Sequence, residues 1–189
     1  VTGHAPDIER LLRNFAQWLD GHGELSRDHQ TFFAGPLGGS AKRLYYERPW
    51  LGLPAVAPLI ACEALVPSAR RWFHRDTRFP IADAHYAMGF AFLWDITGRQ
   101  AHLDRAVHFL EELKQSRCAG FREYCWGYPF DWVTRNGTIT AQTPLITSTP
   151  YVWEAFHAVQ ERAPSDAWQS VMASIVRHAR TDIKDFPRS

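Results

Sequence analysis

The sequence predicts an all-α fold made of helical hairpins, with one helix of each hairpin inside and the other outside, and three observations point to it. A helix apolar nearly all round is followed after a short turn by a helix with one wet face, and this happens twice, over residues 81–96 then 101–116 and over residues 150–161 then 167–182. No segment carries a strand signal. The 189 residues are 46% hydrophobic and 14% aromatic, enough apolar material for one packed domain spanning 1–189. A plain four-helix bundle would make every helix amphipathic, so the alternation describes a two-layer α-barrel or solenoid.

Taken in order, residues 7–20 read as an amphipathic helix, with Ile8, Leu11, Leu12, Phe15 and Leu19 on one face, stopped by Gly21 and Gly23. Residues 21–53 carry six Gly and two Pro and read as a long connection, with a short extended piece at residues 42–47. Residues 55–65 read as a buried helix that Pro67 breaks, with a helical turn following through Phe73. Pro80 suits the first turn of the next helix and Gly98 its stop. In residues 101–116 one stripe is apolar (Leu103, Ala106, Val107, Leu110, Leu113) and the other face charged. Residues 119–147 hold no helical period, and so long a connection is often functional. Thr149 is expected to cap the next helix, with Pro150 at its first position.

A net charge of +1 gives no general attraction for nucleic acid. Cys62, Cys118 and Cys125 are odd in number and form no C-x-x-C pair, which argues against a disulfide framework and a thiolate zinc site. They read as reduced, in a cytoplasmic compartment. Residues 51–66 are too short and too interrupted to span a bilayer, no signal peptide is evident, and the opening Val reads as an excised or processed piece. No phosphate-loop, nucleophile-elbow or zinc-protease motif occurs, and no metal or cofactor is expected.

The segment Phe121-Arg-Glu-Tyr-Cys-Trp-Gly-Tyr-Pro-Phe-Asp-Trp132 places six aromatics in twelve residues, interleaved with Glu123 and Asp131 and followed by Arg135. Flat rings suit the C–H faces of sugars, while carboxylates and Arg bond to hydroxyls or clamp an acidic group. Trp126, Tyr128, Trp132 and Arg135 are the expected sugar contacts. The competing reading is a loop whose aromatics plug one end of a helical barrel. A second set, Asp83, His85 and Tyr86, opens an otherwise apolar helix; there the competing reading has Asp83 as a helix cap and His85 as a buried, satisfied histidine. A third, Tyr151 and Glu154, opens the other inner helix, and Glu154 is expected to pair with Arg135 or Arg122. The four Arg of residues 70–78 read as a solvated connection.

At Cys125-Trp-Gly-Tyr-Pro-Phe-Asp-Trp132, Thr134-Arg-Asn-Gly137 and Thr143-Pro-Leu-Ile-Thr-Ser-Thr-Pro-Tyr-Val-Trp-Glu-Ala-Phe156, the chain resembles a family of bacterial proteins found with polysaccharide biosynthesis genes. Some of these carry an aminolevulinate dehydratase name, although that enzyme is a β/α-barrel and the pattern here is all-α. The resemblance implies a six-hairpin α/α-toroid, the architecture of many glycoside hydrolases, polysaccharide lyases and sugar epimerases, and it carries no catalytic residues over. A complete toroid needs about twice this chain, so the expectation is a partial or half (α/α)6 toroid with inner helices uncovered at its open edges, completed by a second chain or a missing half.

The reading that follows is a saccharide- or sugar-nucleotide-binding, carbohydrate-active domain of polysaccharide synthesis or modification. Asp131 and Glu123, with Asp83 third, are its acid/base candidates, and Trp126, Tyr128, Trp132, Arg135, His85, Tyr86, Tyr151 and Glu154 position the ligand. The rival is a non-catalytic helical scaffold that docks a glycosyltransferase or completes a partner's ring. A terpene-cyclase-like toroid is disfavoured by the lack of an acidic diphosphate-binding cluster.

Overall fold

The computed structural model describes residues 8–26, 31–73 and 76–182, and these are mostly helical. Asp7, expected to open the first helix, and His74 and Arg75 of the arginine-rich run lie outside the described residues. Helix α1 (Ile8–His22) is followed by α2 (Thr31–Ala34), α3 (Pro36–Glu47) and α4 (Pro49–Leu65), then a 3-10 turn at Pro67–Ala69 that leads into α5 (Arg70–Phe73). The second half comprises α6 (Pro80–Thr97), α7 (Gln100–Gln115), a hairpin of β1 (Trp132–Thr134) and β2 (Gly137–Ile139), α8 (Thr149–Gln160) and α9 (Asp166–Thr181).

The α6–α9 half follows from its sequence. Pro80 sits at the start of α6, and Gly98 ends it in the left-handed conformation, with φ 63° and its N–H bonded to Trp94 O. The α6 side chains Ala84, Ala87, Phe90, Ala91 and Leu93 are buried against the α7 stripe of Ala106, Phe109, Leu110 and Leu113. Val152, Ala155, Phe156 and Val159 of α8 and Trp168, Val171 and Ile175 of α9 complete the same core. Ser165 caps α9 by accepting the Ala167 N–H at 3.2 Å. Helices α6 and α8 pack on each other as well as on α7 and α9, and the His85 and Tyr151 rings lie 5.1 Å apart. The first turns of α6 and α8 therefore open at the same end.

The first half departs from expectation. The piece expected to be extended at residues 42–47 is the second half of α3, because Pro36 starts a helix there and Gly38 and Gly39 serve packing instead of turning the chain. A Cβ on Gly39 would stand 3.7 Å from Val133 Cγ2. Helix α4 begins at Pro49, well before residue 55, and tolerates Pro54 and Pro58 in its interior. It was expected to be buried; instead Trp50, Leu53, Ile60 and Leu65 are exposed, and of α4 only Gly52 and Val56 are buried. Gly52 is required, since a Cβ there would lie 2.1 Å from Tyr45 Cα. On α1 the apolar face exists but is half covered: Leu19 is buried, while Ile8, Leu11 and Phe15 are exposed.

The 119–147 connection is irregular as expected, but it contains a short antiparallel hairpin that the sequence reading lacked. Its register pairs Trp132 with Ile139, Val133 with Thr138 and Thr134 with Gly137. Strands of three residues are too short to show a period of two, and only the Asn136-Gly137 pair marks the turn. Thr149 is not a cap. Ser148 occupies that position, and Thr149 Oγ1 bonds the Trp126 backbone, accepting its N–H at 3.2 Å and donating to its C=O at 3.3 Å.

Gly127 follows, and a Cβ there would lie 1.9 Å from Thr143 O. Gly127→Ala should therefore destabilise the chain by ~1–3 kcal/mol, whereas Gly120→Ala, with open space around it, should stay within ~0.5 kcal/mol. Urea unfolding of both variants checks this, and equal midpoints would contradict the tight loop packing.

Candidate functional site

The β-hairpin stands against the start of α3. Alternation along β1 sends Val133 toward Gly39 and Trp132 the other way, where Tyr128 meets its edge at 5.5 Å. Between hairpin and helix lies an open cleft of about 640 Å³ lined by Phe33, Ser40, Arg43, Phe130 and Asp131 among others. Asp131 is exposed; its Oδ1 accepts the Ala141 N–H at 2.8 Å. Arg43 reaches Thr138 Oγ1 at 3.5 Å. Arg43 was missed because its segment read as extended, with no sign that it faced Asp131's loop.

The other sequence candidates fall in different places. Trp126 is a correction: it is wholly buried, its indole N–H donates to Leu113 O at 2.8 Å, and it offers no face to a sugar. Tyr128 lies parallel to Phe130 at 5.4 Å, so this loop cluster largely packs on itself. Arg135 is exposed in the hairpin turn. Glu123 ties the loop to α9, accepting from Ser174 Oγ at 2.7 Å and Arg177 Nε at 3.0 Å. Those bonds, Arg177 first, hold its carboxyl below the ordinary range, which suits an ion pair and not a proton donor.

His85 is exposed and bonds the Ile81 carbonyl through Nδ1 at 2.7 Å, so the buried histidine of the competing reading is not what forms. Tyr86 packs between Phe15 and Phe109. Glu154 corrects a second expectation. It is exposed, with no ion pair to Arg122 or Arg135: Arg122 stands beside Glu123 at 3.9 Å. Glu154 borders an apolar trough of about 820 Å³ between α8, α9 and the Pro144–Ile146 stretch, with the His178–Asp182 pair (2.7 Å) also on its margin.

Asp83 is neither a cap nor an open acid. Its side chain is fully buried; Oδ1 accepts from Arg78 at 3.0 Å and Oδ2 has no partner. Arg78 also bonds Glu24 at 2.7 Å and Glu112 at 3.2 Å. Glu24 in turn meets Arg105 at 3.1 Å and His108 at 2.9 Å, and Arg105 meets Asp20 at 2.8 Å. The residues around Asp83 were missed because no spacing announces them; the one available signal was that a carboxylate on an apolar helix needs a partner. Arg78, expected in a solvated run, is that partner.

Burial raises the Asp83 pKa to about 7, with Glu24 and Glu112 adding to it and Arg78 opposing. Burial also acts on Glu24, but the bonds from His108 and Arg78 hold that carboxyl below its usual value. The three carboxylates proposed for catalysis thus belong to three separate surroundings. Among the described residues no group of three or more His, Cys, Asp or Glu could hold a metal ion, and no helix is long and apolar enough to cross a membrane. Compared with known proteins, the chain matches no family model, no curated protein and no solved structure.

In the folded chain Asp83 keeps its proton up to about pH 7, whereas unfolded it releases it near 3.8. Its contribution to stability is therefore full below the unfolded value and is lost as pH rises through about 7. Asp83→Asn should remove that slope: its stability should exceed that of the unaltered chain at about pH 8 by more than at about pH 5. Denaturant midpoints at both pH values test this, and parallel pH profiles would show that Asp83 ionises normally.

Proposed function

We propose that this chain is part of a two-layer α/α ring that binds a saccharide or sugar nucleotide in the cleft between α3 and the β-hairpin, in polysaccharide synthesis or modification. One observation carries the reading: a single open cleft of about 640 Å³ brings together a carboxylate, a guanidinium, a hydroxyl and two aromatic walls, from Asp131, Arg43, Ser40, Phe33 and Phe130. That volume suits a small ligand, and that chemistry suits sugar hydroxyls with an acidic substituent. The ring itself is supported by the two α6–α7 and α8–α9 hairpins, whose inner members touch and open at one end. Asp131 is the acid/base candidate. Glu123 and Asp83 hold elements together. Glycosidic cleavage by the usual route needs two carboxylates around the bond. Asp131 supplies one, so hydrolysis would draw the second from an added chain.

The scaffold reading is favoured by one feature, the exposed apolar side of α4, where Trp50, Leu53, Ile60 and Leu65 have no cover among the described residues. Such a face fits a helical module that completes a partner's ring or docks a glycosyltransferase.

Isothermal titration against nucleotide sugars, uronates and capsule-type oligosaccharides separates the two. Saturable binding is expected, weakened about 10- to 100-fold by Asp131→Asn and by Arg43→Ala, the loss of one charge-assisted bond each. No heat from a well-folded monomer would sink the saccharide reading. A mass in solution that rises with concentration would support the scaffold.

A further inference from the structure

Cys118 and Cys125 read from the sequence as separate reduced thiols, yet the fold sets them side by side. Cys118 follows the end of α7, and Cys125 directly precedes the buried Trp126. The Cys118 N–H donates to the Cys125 carbonyl at 2.9 Å, and their thiols interact side chain to side chain. Both residues are buried, at 1% and 0% exposure, whereas Cys62 is half-buried on α4. A direct backbone bond between two residues keeps their Cα atoms within the ~4.4–6.8 Å that a disulfide spans. The pair closes a short loop at the root of the long aromatic connection.

We propose that Cys118 and Cys125 are a redox modification site, which closes to an intrachain disulfide that clamps the aromatic connection onto the end of α7. The oxidant is a disulfide of the glutathione type. One cysteine thiolate attacks an oxidised-glutathione sulfur, forming a mixed disulfide and releasing one glutathione thiolate. The second cysteine thiolate then attacks the protein sulfur of that mixed disulfide and expels the other glutathione. Two protein thiols are oxidised, oxidised glutathione becomes two reduced glutathiones, and the thiol protons pass to the leaving thiolates. Burial, with the neighbouring Cys118, pushes the Cys125 thiol up to about 12, and burial raises Cys118 too. In the closed fold the thiolates are therefore scarce, and exchange proceeds while the segment is open, during folding or local opening.

The test refolds a Cys62→Ser chain from its reduced, denatured state in glutathione buffers of graded ratio, followed by acid quenching, alkylation and mass spectrometry. The expected product is two hydrogen atoms lighter, with the link mapped to residues 118 and 125. Half-oxidation should need about tenfold less oxidised glutathione in native buffer than in denaturant, because the fold holds the two sulfurs together. Equal midpoints in the two media, or two alkylated thiols at every ratio, would overturn the proposal. In the unaltered chain, alkylation of Cys62 beside a bonded Cys118–Cys125 pair supports it, and a bond that engages Cys62 contradicts it.

Discussion

Trp126 is the point on which the rest of the chain depends. It is fully buried in the core shared by α6, α7, α8 and α9, and every polar group it carries is used: its indole N–H by Leu113, its backbone N–H by Thr149, and its C=O by Leu145 and Thr149. A connection of some thirty residues without helix is ordinarily too costly in entropy to hold one shape. Here it is nailed within its first third. Gly127 then lets the chain pass against Thr143, and the hairpin that follows is delivered to α3 in one orientation.

The second organising element is electrostatic. Arg78 satisfies carboxylates from three parts of the chain: Glu24 after α1, Asp83 in α6 and Glu112 in α7. A two-residue bridge between Ser26 and Thr77 runs beside it, so the segment after α1 is stitched to the approach to α6 by backbone and side chain together. Three acids around one guanidinium leave a deficit of positive charge. Arg105 and His108 meet Glu24, but Asp83, fully buried and with one unpartnered oxygen, takes a raised pKa, first from that burial and then from the two neighbouring acids.

The apolar surface is distributed unevenly. The α6–α9 half buries most of its large apolar side chains but leaves Phe92 and Ile96 on α6 and Tyr151 on α8 in solvent, and α4 leaves more of its own exposed. Exposed apolar side chains of this kind are what the proposed layered ring would leave at open edges. The cleft with Asp131 and Arg43 lies on the hairpin side, and the largely apolar trough with Glu154 lies between α8 and α9.

Helical character and the α6–α9 boundaries were legible because they rest on local rules: a period of 3.6, Pro at a first turn and Gly at a stop each act within a few residues. The same local rules misread α3 and α4, since a Gly pair and two prolines signal turns unless a neighbour makes the helix worthwhile, and that neighbour is remote in sequence. Of the proposed cleft, the sequence picked out Asp131, because a carboxylate interleaved with six aromatics stands out; His85 and Tyr151, polar groups near the starts of apolar helices, stood out too but lie together elsewhere. It could not tell that Trp126 is core, that Glu123 belongs to Arg177, or that Arg43 would come to Asp131. From α6 onward the sequence by itself determined which segments are helical and where they stop, because backbone sterics and hydrogen bonding are local. Only the tertiary structure decided which aromatics are hidden, which acids are paired and which thiols touch, because those outcomes depend on contacts between residues tens of positions apart.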